Sequence, residues 1–133
     1  MSTMTIEVLA GVLLGSAAGG VARFQVGAWV TRFAGTSFPW GTGVVNVSGA
    51  LAAGVLIALW PAEDPSSPGL QALLMAGFLG GYTTVSSFAL QTLNLVRQGH
   101  RLKAIGNLLA SGLLCLGAVW LGYQSTTLWL GHP

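Results

Sequence analysis

Four long stretches of this chain are almost empty of charge, and no other feature limits its fold so tightly. Residues 8–31 hold one charged side chain, Arg23, while 42–60, 70–96 and 104–131 hold none. A helix of ~20 apolar residues crosses the hydrocarbon core of a bilayer, so each stretch is long enough to span it. In that medium a segment must satisfy its own backbone hydrogen bonds, which leaves the helix as the form for runs of this length. Composition points the same way: 53% of the 133 residues are hydrophobic and 6% are charged, against about 25% charged in soluble domains. The expected fold is an all-α membrane protein with four transmembrane helices, at approximately 5–31, 41–60, 70–96 and 103–130, in one domain over 1–133.

The breaks at 32–39, 61–69 and 97–103 are short and rich in turn formers, so neighbouring spans run antiparallel with membrane lipid around them. The opening MSTMTIEVLAGVLLGSAAGG lacks the basic segment of a secretory signal and is expected to be a retained first span. Cys115 is the single cysteine, which excludes an intrachain disulfide framework and a cysteine-ligated metal site. Five Lys and Arg residues form no run, so the formal charge of +2 carries no sign of nucleic-acid binding.

Those five cations are placed unevenly. With the N-terminus on one side, Arg32, Arg97, Arg101 and Lys103 fall in the loops of the other, and Arg23 lies toward that end of the first span. The N-terminal side carries Glu7, Glu63 and Asp64 and no Lys or Arg. The positive-inside rule then makes the basic side cytoplasmic and both termini external.

Within the spans, Gly11, Gly15, Gly19 and Gly27 share a four-residue series with Arg23, the spacing of closely packed membrane helices. The third span carries GGYTTVSSF at 80–88, combining paired glycines with four serine and threonine residues near its middle. Two local forms suit it: a helix broken near the midplane, or a kinked continuous helix whose Ser and Thr bond its own carbonyls. The break is favoured, and irregular backbone at that depth is tolerated where protein or a water path covers it.

Polar side chains gather on helical faces. Thr84, Ser87, Phe88 and Gln91 fall at i, i+3, i+4 and i+7; Asn107, Ser111 and Cys115 fall at i, i+4 and i+8; Asn46 lies near the start of the second span. Taken singly, each is more often glue between helices than a ligand. Together, without any membrane carboxylate, they suit a small anion, since hydroxyls and amide NH₂ groups replace its water. Arg23 either adds positive potential to such a path or snorkels to the interface. Phe88 either offers an electropositive ring edge or packs. His100 and His132 lie outside the spans and no acid lies within them, so the chain is not expected to be an enzyme.

Three segments, GSAAGGVAR (15–23), WGTGVVNVSG (40–49) and GFLGGYTTVSSF (77–88), resemble the three motif regions of the Fluc/CrcB fluoride channels in order and spacing. The resemblance implies passive export of fluoride from the cytoplasm across the bacterial inner membrane, lowering its toxicity. It implies an antiparallel dimer of dual-topology type with two pores, its broken third spans crossing at the centre. It also implies that Asn46 donates to fluoride in a vestibule, that Phe88 is the second of two pore phenylalanines, and that Thr84 and Ser87 line the path. Arg23 matches the family's first-span arginine, and Ser111 the centre of a polar track on the fourth span. Backbone carbonyls of Gly80 and Thr83 from both subunits would hold a central structural Na⁺. The chain departs from the pattern at Val85 (first pore phenylalanine), Gln91 (glutamate), Asn107 (often tyrosine) and Cys115 (often serine or threonine).

The one-sided basic loops and Val85 raise an alternative to the homodimer: one subunit of a heterodimeric channel, paired with an oppositely oriented paralogue. A proton-coupled small multidrug exporter has similar size, but it needs an acid within the first span, where Glu7 lies only at the edge. A non-conducting assembly subunit is the third alternative.

Overall fold

The computed structural model describes residues 3–60 and 67–131, and every regular element among them is helical. Helix α1 covers Thr3–Ala34 and α2 covers Trp40–Leu59. The third span starts with α3 (Pro68–Gln71), widens into a π-helical stretch (Ala72–Leu79), tightens again in α4 (Gly80–Tyr82) and resumes after two extended residues as α5 (Val85–Arg97). Helix α6 runs over Arg101–Trp129. Four segments, Thr5–Ala34, Trp40–Leu59, Pro68–Arg97 and Arg101–Trp129, are long and apolar enough to cross a membrane. Most of the expected 61–69 loop, with Glu63 and Asp64, lies outside the described residues, as does His132.

Glycine and proline set the turns. Gly35, at φ 82°, closes α1 with its N–H on the Thr31 carbonyl, and Pro39 precedes α2. Gly99, at φ 83°, reverses the chain within three residues between α5 and α6. Both turns lie at one end of the bundle, where Lys103 Nζ donates to the Ser37 carbonyl at 3.2 Å. The aromatic pairs Trp29–Phe33 and Phe38–Trp40, with centroids 5.1 and 4.8 Å apart, lie in or beside the first of these turns, as rings at a membrane interface do.

Two glycine seams hold the helices at backbone contact. A Cβ on Gly15 or Gly19 of α1 would run into the carbonyls of Leu73 and Phe78 in the third span. In return, a Cβ on Gly81 would lie 2.5 Å from Ser16 O. Between α2 and α6, added carbons on Gly54 and Gly122 would strike the carbonyls of Val119 and Leu51. Gly27 behaves differently: nothing stands near its own Cβ position, but its carbonyl lies 2.7 Å from where Gly41 of α2 would carry one.

Large apolar side chains face outward almost everywhere, among them Leu13, Leu14, Phe24, Leu102, Leu116 and Trp129. Among the described residues, Val45 is the one large side chain that is fully buried. Lipid tails are as apolar as leucine, so these helices gain little by hiding leucines and more from close backbone packing and buried polar contacts. Gly54→Ala or Gly122→Ala is therefore expected to cost about 1–3 kcal/mol through overpacking. Gly106→Ala, whose Cβ meets nothing within 4 Å, should be neutral or stabilising by up to ~1 kcal/mol. Unfolding of the three variants in detergent micelles checks the contrast.

Candidate functional site

The site begins at the two extended residues in the third span. Thr83 (φ −79°, ψ 157°) and Thr84 (φ −152°, ψ 119°) both leave helical geometry. Thr83 still belongs to the preceding turn, since its N–H and its hydroxyl both donate to Leu79 O, at 2.9 and 2.8 Å. Thr84 belongs to the next, as its Oγ1 accepts the Ser87 N–H at 3.1 Å and caps α5.

Helix α2 supplies what the interrupted ladder lacks. Thr84 N–H, which in a continued helix would meet the Gly80 carbonyl, donates instead to Asn46 Oδ1 at 2.8 Å. Asn46 Nδ2 returns a bond to Thr84 O at 2.9 Å. The carboxamide thus pairs with one residue's backbone as a neighbouring strand would, leaving one amide hydrogen to spare. Two residues further along α2, Ser48 Oγ and Tyr82 Oη lie 2.9 Å apart and tie the other edge of the break.

An interrupted helix presents opposite poles. The positive dipole end of α5 lies at Thr84–Ser87, where the Thr84 and Ser87 N–H groups are held by Asn46 Oδ1 and Thr84 Oγ1, while carbonyls without helical partners and a negative end close α4. The first pole suits anions and the second suits cations. Arg23 reaches toward this point, where Nη1 donates to Thr83 O over a long 3.5 Å.

A cavity of about 950 Å³ opens beside the break, lined by Arg23, Thr84, Ser87 and Gln91 among others. Arg32 joins Arg23 in its wall, and none of its lining residues is acidic. Asn94 and Gln98 line it too. Neither was singled out from the sequence, although they continue the Thr84, Ser87, Gln91 series by alternating steps of three and four residues, and that spacing is the signal that would have found them.

A second cavity of about 690 Å³ lies on the other side of α5 and brings together Asn46, Val85, Phe88, Ser111 and Cys115 from three helices, with Gly80 and Thr83 at its edge. Thr84 lines both cavities. Val85 is 79% exposed. Asn107 is placed elsewhere: it is 3% exposed and lines neither cavity. Its Nδ2 donates to Thr92 Oγ1 at 2.8 Å, and Thr92 Oγ1 donates to Phe88 O at 2.7 Å, so Asn107 braces the turn that carries Phe88. Ser111 Oγ donates to Asn107 Oδ1 over 3.5 Å, a long bond that leaves the hydroxyl able to turn into the cavity.

Chemically, the site holds hydroxyl, amide and guanidinium donors, one aromatic edge and no carboxylate. No cluster of His, Cys, Asp or Glu able to hold a metal exists among the described residues. The carbonyl end at Gly80 and Thr83 offers hard, neutral oxygens. Such a constellation presents donors and neutral oxygens of the kind that replace water around an ion.

Known proteins are similar to this chain over most of its length. Residues 10–123 match the family described as CrcB-like protein, Camphor Resistance (CrcB). A protein of Rhodopseudomonas palustris named "Fluoride-specific ion channel FluC 2" is 52% identical over 124 residues, covering 90% of this chain and 95% of the relative. "Fluoride-specific ion channel FluC" of Methylocella silvestris is 49% identical over 114 residues, 84% of this chain and 87% of the relative. A third relative, "Fluoride-specific ion channel FluC 3" of Brucella suis, is 46% identical over 122 residues, with coverage of 90% and 92%. With four apolar helices and a donor-lined break over the matched region, the chain belongs to the CrcB-like family.

Proposed function

We propose that this multi-pass membrane protein is a fluoride channel that lets the anion leave the cytoplasm passively. The observation that carries this is the convergence, at Thr84–Ser87, of a helix N-terminus, the Asn46 amide and an acid-free cavity containing Arg23. The names borne by the relatives point the same way.

Fluoride is small and strongly hydrated, so a path for it must replace water with equally strong donors. Thr84 and Ser87 hydroxyls, the spare Asn46 hydrogen and the Ser111 hydroxyl supply them, while Phe88 offers its ring edge. Cys115 contributes at most a weak S–H donor. A carboxylate on this path would repel the ion, and none is present among the lining residues. Arg23, held against Thr83 O, keeps a fixed positive charge beside the break without entering it. Hydrogen fluoride crosses membranes uncharged and dissociates inside, so the anion accumulates in the cytoplasm and an interior-negative potential drives it out.

One chain offers half of an enclosure. Gly80 and Val85 are exposed at the edge of the second cavity, and an oppositely oriented second subunit would complete it. Two carbonyls per chain, Gly80 O and Thr83 O, suit a desolvated Na⁺ bound between the two breaks. Gly80 O fits because its helical donor is diverted to Asn46, and Thr83 O keeps a second lone pair beside Arg23. Such an ion would neutralise the carbonyl pole and tie the subunits together. Its membrane would be the bacterial inner membrane, and the one-sided basic loops favour external termini for a subunit of fixed orientation.

A specific observation keeps a second composition in play. Arg32, Arg97, Arg101 and Lys103 all lie toward one membrane side, which suits a subunit of fixed orientation, and Val85 removes one ring from the path. In that case the channel is a heterodimer with an oppositely oriented paralogue.

Liposomes containing the purified chain alone are expected to release fluoride and retain chloride. Asn46→Ala should cut that flux by at least about tenfold, since it leaves both backbone groups of Thr84 unpaired and removes a donor. Flux that stays at the wild-type rate in inserted Asn46→Ala would contradict this account of the break. Labelling of both termini separates the compositions: equal labelling from the two sides indicates the homodimer, and labelling from the outside alone indicates the pair.

A further inference from the structure

Three carboxamides on α5 stand out by what they do not bond. Gln91, Asn94 and Gln98 face the larger cavity, and no side-chain hydrogen bond joins any of them to the protein among the described residues. Every other polar side chain around the break is engaged: Asn46, Thr83, Thr84, Ser87, Thr92, Asn107 and Ser111 all make bonds. The contrast is sharpest at Gln91, whose Oε1 is buried with no partner at all. A buried acceptor is costly to leave unpaired, so Oε1 beside a polar cavity calls for a donor such as a water that travels with the ion, while the same carboxamide keeps its N–H donors for the anion.

We propose that Gln98, Asn94 and Gln91 form an anion relay, a row of neutral donors that strips fluoride of water step by step between the cavity mouth and Ser87. The inference rests on the fluoride-channel assignment and adds three residues to it. The spacing of three and four residues puts all three amides on one face of α5, in line with Ser87 and Thr84. Each carboxamide carries two N–H donors and one acceptor, and its terminal torsion is broad and two-fold. One group can therefore turn its NH₂ to the anion or its C=O to a water still bound to it. Arg23 and Arg32 supply positive potential along the row without sitting in it, and no lining acid interrupts it. Where the resemblance to fluoride channels implies a glutamate, Gln91 replaces a charge of the ion's own sign with donors.

Exposure sets the order of effect. Asn94 and Gln98 are exposed, Gln91 is partly buried, and Thr84 at the inner end is 8% exposed. A donor is worth more where less water competes with it, so the contribution rises inward.

The test uses the full chain and near-isosteric apolar replacements, Gln91→Met, Asn94→Leu and Gln98→Met, with Gln91→Asn as the conservative control. Fluoride flux from liposomes is recorded against fluoride concentration, and fluoride affinity is measured by calorimetry on protein in detergent. The expected half-saturating concentration rises about tenfold for Gln91→Met, about threefold for Asn94→Leu and about twofold for Gln98→Met, with matching losses of affinity. Gln91→Asn should recover part of the Gln91→Met loss. A merely structural role would lower the maximal flux and leave half-saturation in place. Half-saturation and affinity unaltered in all three variants, or largest at Gln98, would overturn the relay while leaving the channel intact. Should the wild type show no flux, the channel assignment fails, and calorimetry decides the relay by the same ranking. If Gln91→Met does not insert, Gln91→Ala is measured in its place under the same criteria.

Discussion

One reciprocal pair of hydrogen bonds, between the Asn46 carboxamide and the backbone of Thr84, makes the rest of this structure tenable. Two extended residues inside an apolar span would leave backbone groups unpaired, at about 1–3 kcal/mol each. Asn46 takes both of the Thr84 groups at 2.8 and 2.9 Å. Because the Thr84 N–H goes sideways to α2, the Gly80 carbonyl is released, and because Thr84 can stay extended, its hydroxyl is free to cap α5. The donors at one pole and the acceptors at the other both follow from a single side chain on a neighbouring helix.

Holding that side chain in place is the task of the glycine seams. Asn46 sits on α2, and Gly54, on the same helix, lets α2 settle onto α6 at backbone distance. On the opposite flank, Gly15 and Gly19 let α1 do the same against the first half of the third span. The four helices enclose polar groups between them while turning leucines outward, the reverse of a water-soluble bundle. The π-helical turns of Ala72–Leu79 lie within the α1 seam, just ahead of the break. Wide turns of this kind recur near functional sites in other helices.

Much of this was legible in the sequence, for identifiable reasons. Charge-free runs of this length have one solution in lipid, so the number of spans and their approximate limits followed from composition alone. The direction of Arg23 was left open, since snorkelling and burial draw on the same residue at the same depth. The bonding of Asn46 was not visible, because pairing with a residue 38 positions away depends on how two helices dock. Asn107 was misleading for a related reason. Its spacing with Ser111 and Cys115 placed all three on one stripe, yet a stripe has width, and Asn107 lies toward α5 and bonds Thr92. Asn94 and Gln98 continue the same alternation of three and four residues, but they flank Arg97 at the end of the span, where polar side chains are ordinary.

The tether on Arg23 has a consequence for how the protein meets an electric field. Voltage sensors move several charges through the membrane, each worth about 2.3 kcal/mol per 100 mV. Stretches 8–31, 42–60, 70–96 and 104–131, which make up the interior of the four spans, contain one charged side chain, Arg23, and it lies against the Thr83 carbonyl. With no gating charge to displace, membrane voltage has almost nothing in the protein to push on, and its work falls on the permeating ion itself.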